Sequence, residues 1–297
     1  MNARDWQWMR ELRSGFLAAT DGLADYWDSQ RKLELYDQFF AERIGWKWDA
    51  VLAELLSQGW TPPGDRFVDW ACGSGIASRK ALTAFEVSKT TLWDRSPTAR
   101  DFARQRILTE HPKASISTWD SREPAGGIWL ISHVINELTD SAWEGLLSAI
   151  SGHAEAVIWV ESGTREASRR LITARERLRT AFHCVAPCPH QASCGLLTPE
   201  NDRHWCHHFT RPPGYVFQDA AWSAFSRELK IDLGTVPYSY LVLDRSPVKG
   251  SSKERVIGHP RLFKGHAKLL TCTAENVAEK TVQKRDDPDF FRQLRKR

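Results

Sequence analysis

The sequence predicts an α/β fold: a parallel sheet with helices on both faces, entered through a helical region and followed by a small β extension. Three observations predict it. Short apolar runs alternate with helical patterns between residues 66 and 161, the arrangement that βαβ units produce. A glycine-bearing turn, Ala71-Cys72-Gly73-Ser74-Gly75, joins the first run to the first helix. Cysteines gather beyond that region: Cys188, Cys194 and Cys206 share one polar stretch, and Cys272 lies far downstream.

The elements follow in order. Residues 3–58 read as helical because Leu33, Tyr36, Phe40 and Ile44 recur every three or four positions, followed by Val51, Leu52, Leu55 and Leu56. Thr61-Pro62-Pro63-Gly64 stops that pattern, so residues 1–60 form an N-terminal helical region. Strands are expected at Arg66–Ala71, Thr90–Asp94, Ala114–Trp119, Gly127–His133 and Glu155–Glu161. Between them lie helices at Ser74–Phe85, Pro97–His111 and Ser141–His153, and Ser96-Pro97 is a helix start with a hydroxyl cap and a first-turn proline. Ala167, Leu171, Ala174, Leu178 and Phe182 stripe a further helix beginning near Thr164. A Cys-rich loop at 183–215, a helix near 218–230 and an apolar strand Tyr238–Leu243 complete a domain of residues 61–245. After a Ser/Lys/Gly linker, residues 255–285 alternate like a small β unit with Ala267–Cys272 as one strand, within a basic extension of residues 246–297.

Composition narrows the class. With 41% hydrophobic and 26% charged residues the chain reads as an ordinary globular protein. No apolar run approaches the ~20 residues of a membrane span. The N-terminus, rich in Trp, Arg and Asp, lacks the apolar core of a signal peptide. The expected setting is the cytoplasm or an equivalent reducing compartment, the mitochondrial matrix in a eukaryote. Six cysteines there point to metal or redox chemistry rather than disulfides. The formal charge of +4 is uneven: residues 246–297 carry 13 Lys+Arg against 6 Asp+Glu, or +7, which leaves −3 for the rest. A basic tail on a slightly acidic body points to a polyanion, nucleic acid first.

The turn after the first strand has the context of a nucleotide loop. Its glycines let backbone approach a ligand where a Cβ would clash. Asp94 ends the second strand, 25 residues after Asp69, where a carboxylate can accept both hydroxyls of a ribose. Trp119-Asp120 ends the third strand, where an adenine would lie. There is no Gly-Lys-Ser/Thr and no dinucleotide glycine spacing, which argues against ATP and NAD. Each acid also has a plain structural use. Asp69 can accept backbone N–H bonds in its loop, Asp94 can pair with Arg95, and Asp120 can be a solvated turn residue.

These residues resemble the first motifs of the class I S-adenosylmethionine-dependent methyltransferases. The resemblance implies a Rossmann-like methyltransferase sheet and S-adenosylmethionine as cofactor, with Asp69, Gly73, Gly75, Asp94 and Asp120 as its contacts. One departure is visible: Ala71 stands where that motif has its first glycine.

The cysteine spacing is Cys188-x5-Cys194-x11-Cys206-x65-Cys272. Thiolates hold zinc or an iron–sulfur cluster, and this spacing alone does not choose between them. A closed four-sulfur site would tie the loop after the fifth strand to the C-terminal segment. Structural metal sites supply on the order of 10 kcal/mol, enough to order a loop poor in apolar residues. His190, His207, His208 and Cys184 are substitute ligands, while Cys72 reads as a small residue of the glycine turn.

Several stretches together resemble one family. They are Ile131-Ser132-His133-Val134-Ile135-Asn136-Glu137-Leu138, Val160-Glu161-Ser162-Gly163-Thr164, Ala186-Pro187-Cys188-Pro189-His190, Trp205-Cys206-His207 and Tyr238-Ser239-Tyr240-Leu241-Val242-Leu243. They are similar to the Rsm-twenty-two family, the methyltransferase-like proteins of the mitochondrial small ribosomal subunit and their bacterial relatives, over roughly residues 61–285. The resemblance implies association with the small subunit or its rRNA, and a metal site of Cys188, Cys194, Cys206 and Cys272 that holds a [4Fe–4S] cluster in some members. Gly195 replaces a proline usual there, and residues 1–60 match no motif.

Catalysis is less legible. Base-amine methylation commonly uses Asn/Asp-Pro-Pro-aromatic after the fourth strand, where this chain has Ser132-His133-Val134-Ile135-Asn136-Glu137. Pro187-Cys188 and Thr271-Cys272 mimic the settings of a cysteine nucleophile, yet Pro187-Cys188 follows the fifth strand and both cysteines fit better as ligands. His133 and Glu137 are the candidates for a base, and Glu137 has the alternative of capping the next helix. Two readings stand: an rRNA methyltransferase with a metal-stabilised RNA platform, or a non-catalytic rRNA-binding assembly factor on the same fold. A third, methylation of a small metabolite, predicts no RNA affinity.

Overall fold

The computed structural model describes residues 1–18, 27–119, 126–248 and 254–294. Asp120, most of the linker after Ser246 and the last three residues lie outside them. The chain divides into two compact units, Met1–Val160 with Arg211–Val236, and Glu161–Thr210 with Pro237–Arg297.

The first unit opens with helices α1 (Ala3–Ala18), α2 (Gln30–Leu35) and α3 (Glu42–Ser57), the last two joined by a π-helical turn at Tyr36–Ala41. Ser29 caps α2 through Lys32 N. The wider turn buries both Asp37 and Phe39. Asp37 takes the Arg79 guanidinium on one oxygen and Arg106 Nε, at 2.9 Å, on the other. Such a buried pair is a weak source of stability but an exacting one in geometry, because breaking it strands a charge.

The sheet then follows as β1 (Arg66–Trp70), α4 (Ile76–Ala84), β2 (Lys89–Trp93), α5 (Pro97–Glu110), β3 (Ser115–Thr118), β4 (Gly127–Ser132), α6 (Asp140–His153) and β5 (Ala154–Ser162). These strands run parallel in the order β3-β2-β1-β4-β5. This is the Rossmann-like arrangement the sequence predicts, with each boundary within two residues of expectation. Ile128, Trp129, Leu130 and Ile131 of β4 are all fully buried, as a central strand covered on both faces requires. Ser96 caps α5 ahead of its first-turn proline, and Thr139 caps α6. Strand order reverses between β1 and β4, so a crevice opens beyond their carboxyl ends.

The second unit holds α7 (Arg165–Leu178), β6 (His183–Ala186) and β7 (His208–Thr210). The chain then returns to the first unit as α8 (Ala220–Leu229), where Phe225 stacks on Phe39 with ring centres 5.0 Å apart. It re-enters the second unit as β8 (Val236–Asp244), which pairs antiparallel with β6 and also pairs with β7. The small β unit is an antiparallel meander of β9 (Arg255–Leu262), β10 (His266–Cys272) and β11 (Val277–Gln283). Helix α9 (Pro288–Leu294) covers one face of it, setting Phe291 and Leu294 against Ala267 and Leu269. Strands β6 and β7 escaped the sequence reading because four and three residues are too few to show a period. No helix among the described residues is long and apolar enough to cross a membrane.

Candidate functional site

In the first unit a cleft lies at the carboxyl ends of β1, β2 and β4, lined among others by Ala71, Gly73, Asp94, Ser132, His133 and Glu137. Its floor is set by the glycine turn. Ala71, Gly73 and Gly75 have φ of +58°, +52° and +76°. Gly75 also has to be small, since a Cβ there would come 3.0 Å from the Ala103 Cβ on α5. A Cβ on Gly73 would meet nothing within 4 Å, so that glycine serves the backbone and leaves space above it. Alanine in the left-handed region at residue 71 costs about 1–2 kcal/mol, which the native contacts of the turn must offset.

Asp94 holds the turn to the cleft wall. Its Oδ2 accepts from Gly73 N at 2.9 Å and its Oδ1 from Ser96 N at 2.9 Å. Arg95 brings Nη2 to within 3.9 Å of Glu137 Oε2. Asp69 does not line the cleft. It is 1% exposed, its Oδ2 accepts from Ser78 N and Ser78 Oγ at 3.2 and 2.6 Å, and burial raises its carboxyl to about 7. Its structural use, fixing the start of α4, is the one seen. Trp70 and Trp93 stack at 4.8 Å and 20° and give the cleft a flat aromatic wall.

His133 sits at φ +54° directly after β4. Lys47 Nζ lies 2.7 Å from its Nε2. An ammonium only donates, so Nε2 is the acceptor and the ring proton is on Nδ1. Burial, then Lys47 and Arg43, holds the imidazole well below its usual range. Thus His133 is neutral and its basic nitrogen is already engaged. Glu137 ends the turn Ile135–Glu137 and does not cap α6, a task done by the Thr139 hydroxyl accepting from Ala142 N.

In the second unit Cys188, Cys194, Cys206 and Cys272 line one cavity. Two of them come from the loop after β6, one from the approach to β7, and the fourth is the last residue of β10. Helix α7 shapes the loop. Arg169 donates to the carbonyls of Leu196, Asn201, Asp202 and His204 at 2.7–2.9 Å. Arg175 donates to those of His190 and Ala192 at 3.1 and 2.8 Å. The Cys206 carbonyl accepts from Ser168 and Ser239 Oγ at 2.7 and 2.8 Å. His190 Nε2 lies 3.5 Å from Cys272 Sγ, and His208 Nε2 lies 3.7 Å from Cys206 Sγ. None of the four substitutes, His190, His207, His208 and Cys184, lines the cavity itself.

Burial pushes the Cys194 thiol up to about 11 and Cys272 up to about 12; Cys206 is raised by burial too, and Cys188 by its bond to Cys184 and by burial. All four are therefore neutral until a cation offsets their charge. Among the described residues no three His, Cys, Asp or Glu side chains are set to hold a metal ion. The ion-binding cage expected in the Cys-rich loop is thus absent in this arrangement, although its four sulfurs share a cavity. The donor chemistry is soft and all-thiol, and no carboxylate lines the space.

Sequence reasoning missed Lys47, the Trp70–Trp93 wall and the two arginines of α7. A signal for Arg175 exists: it falls on the apolar stripe between Leu171 and Leu178, where a solvated arginine would not be placed.

A family model described as mitochondrial small ribosomal subunit Rsm22 matches residues 50–297. The chain belongs to this family. The match includes the cysteine cavity and the part of the cleft built on the sheet, and omits α1, α2 and the π-helical turn, with the cleft residues Trp27 and Tyr36. No curated protein matches the chain. Among solved structures, it is similar to an O-methyltransferase family protein from Burkholderia thailandensis, with a TM-score of 0.45 and 14% identity over 62% of this chain and 67% of that one. It is also similar to a candidate RNA methyltransferase from Pyrococcus horikoshii, with a TM-score of 0.41 and 13% identity over 66% of this chain and 83% of that one.

Proposed function

We propose that this Rsm22-family chain is an S-adenosylmethionine-binding, methyltransferase-like protein that engages small-subunit rRNA in ribosome assembly or translation, with a [4Fe–4S] cluster held in its second unit. The observation that carries the cofactor reading is Asp94, whose carboxylate joins the glycine turn to the start of α5 at the mouth of the switch-point cleft. Asp94 would accept the ribose hydroxyls, Gly73 would let backbone approach the ligand, and the Trp70–Trp93 wall would exclude water beside it. S-adenosylmethionine supplies an electrophilic methyl group when bound. Asp69 and Gly75 support the turn from behind. Asp120 remains a proposed adenine contact at the end of β3.

Cys188, Cys194, Cys206 and Cys272 would hold the cluster. Zinc is the alternative guest for the same all-thiol lining.

A specific observation favours the non-catalytic form of this reading. His133, the residue best placed to take a proton, is neutral and has its basic nitrogen engaged by Lys47. That leaves Glu137, which faces Arg95 across 3.9 Å. On this basis the chain binds rRNA and uses S-adenosylmethionine as a structural or sensing ligand. The test is a methylation map of small-subunit rRNA from a strain lacking the gene. An unchanged map is expected, and loss of one methyl mark restores the enzymatic reading. RNA binding that weakens with salt is expected in either case, and its absence contradicts both.

A further inference from the structure

The cysteine cavity is cationic as well as thiol-lined. Arg175, 2% exposed, lines the same space as the four cysteines, and so does Arg255. No acid shares that lining. Arg175 gives Nη2 to two loop carbonyls and Nη1 to Glu176, while its Nε is buried without a hydrogen-bond partner. Leaving an N–H of a buried guanidinium unpaired is unfavourable, so the arrangement anticipates an anion. Next to two of the thiols stand the ring nitrogens of His190 and His208. A thiolate only accepts, so with the thiols ionised these rings would donate N–H bonds to sulfur.

A four-iron cluster on four thiolates is a dianion when oxidised and gains a further negative charge on reduction. Nearby fixed cations and hydrogen bonds to sulfur therefore favour the reduced form. We propose that Arg175 and Arg255 are the charge partners of the cluster and make it a reducible group rather than a purely structural one. This rests on the cluster reading above. When bound, such a cluster would supply one-electron chemistry, with dithionite as the donor in the test below. No bond forms or breaks, and the two guanidinium groups keep their protons throughout. Arg175 and Arg255 are positioning residues: they act on the electron's energy through charge and touch no substrate.

The experiment is a dithionite titration of the full chain prepared without oxygen, followed by the visible absorption and paramagnetic signal of the cluster. The variants are Arg255→Met, Arg175→Lys and Arg175→Met. Arg255 lies on β9, outside the cysteine loop, and bonds the Tyr240 hydroxyl at 2.7 Å, so Arg255→Met removes a charge from the cavity without altering the loop's own residues. The native cluster should reduce reversibly. Arg255→Met and Arg175→Met should each shift the equilibrium about tenfold toward the oxidised form, ~59 mV to more negative potential for one electron, and Arg175→Lys should shift it less. If Arg175→Met fails to keep its cluster, Arg255→Met and Arg175→Lys decide the matter. A cluster that dithionite cannot reduce, or midpoints unchanged in Arg255→Met and Arg175→Lys, overturns the inference and leaves the cluster reading intact. Native protein without iron and sulfide overturns both.

Discussion

The cleft of the first unit and the cavity of the second are built on opposite principles. The cleft is self-supporting. Its glycine turn is held by Asp94, its strand ends by a fully hydrogen-bonded parallel sheet, and its wall by stacked tryptophans. The cavity leans on its walls. Its loop carbonyls hang on Arg169 and Arg175, and burial raises the Cys194 and Cys272 thiols. On the proposed reading, a ligand in the cleft adds to a structure already held together, whereas a guest in the cavity would help to hold one. The two sites should therefore respond very differently to loss of a single side chain.

The largest effect is expected from Cys272→Ser. If the cavity needs its guest, this change removes the cluster and with it stabilisation on the order of 10 kcal/mol in the second unit. Thermal melting of anaerobic protein should show a separate early transition. A melt superimposable on the native one would mean that the cavity is as self-supporting as the cleft. Next is Arg169→Met, which strands four carbonyls at the loop. A loss of about 2–4 kcal/mol is expected, read in urea unfolding, and a change below about 0.5 kcal/mol would show that the loop does not hang on α7.

In the cleft, Asp94→Ala should weaken S-adenosylmethionine binding by about 10–100-fold, the ~1.5–3 kcal/mol typical of hydrogen bonds to a charged group. Calorimetry is the readout, and circular dichroism should stay native. Equal affinity would remove Asp94 from the site. Asp69 offers a subtler contrast. Folding raises its carboxyl to about 7, so between about pH 4 and 7 the folded chain retains a proton that the unfolded chain has lost, and stability falls as pH rises through that window. Asp69→Asn should lose less stability than the native chain between pH 5 and 8, whereas parallel profiles would mean the acid is ionised when folded. The smallest effect is expected at Ala71, where Ala71→Gly should stabilise the turn by about 1 kcal/mol through relief of its positive φ; destabilisation would show that the alanine methyl makes a contact worth more than the strain.

The same contrast explains what was legible in the sequence. The sheet was readable because short continuous apolar runs such as Gly127–Ser132 alternate with helical patterns, and caps such as Ser96-Pro97 mark their own helix starts. The cleft was half readable. Glycines and Asp94 announce a turn and a strand end, but whether Asp69 meets a ligand or Ser78 depends on where α4 packs, which no local pattern encodes. Lys47 reaches His133 from a helix 86 residues earlier, a contact with no sequence signature. In the second unit, residue types found the cysteines and nothing found their neighbours. Arg175 and Arg255 become partners of the thiols only when α7 and the β9–β11 meander are assembled, and β6 and β7 are too short to announce themselves.

The difference between the two sites turns on whether the four thiols receive a guest. Iron, sulfide and zinc should be determined together on the full chain purified without oxygen. About four iron and four sulfide per chain, with a brown absorbance, is the predicted result. Colourless protein with one zinc and no sulfide, or with no metal at all, would contradict it.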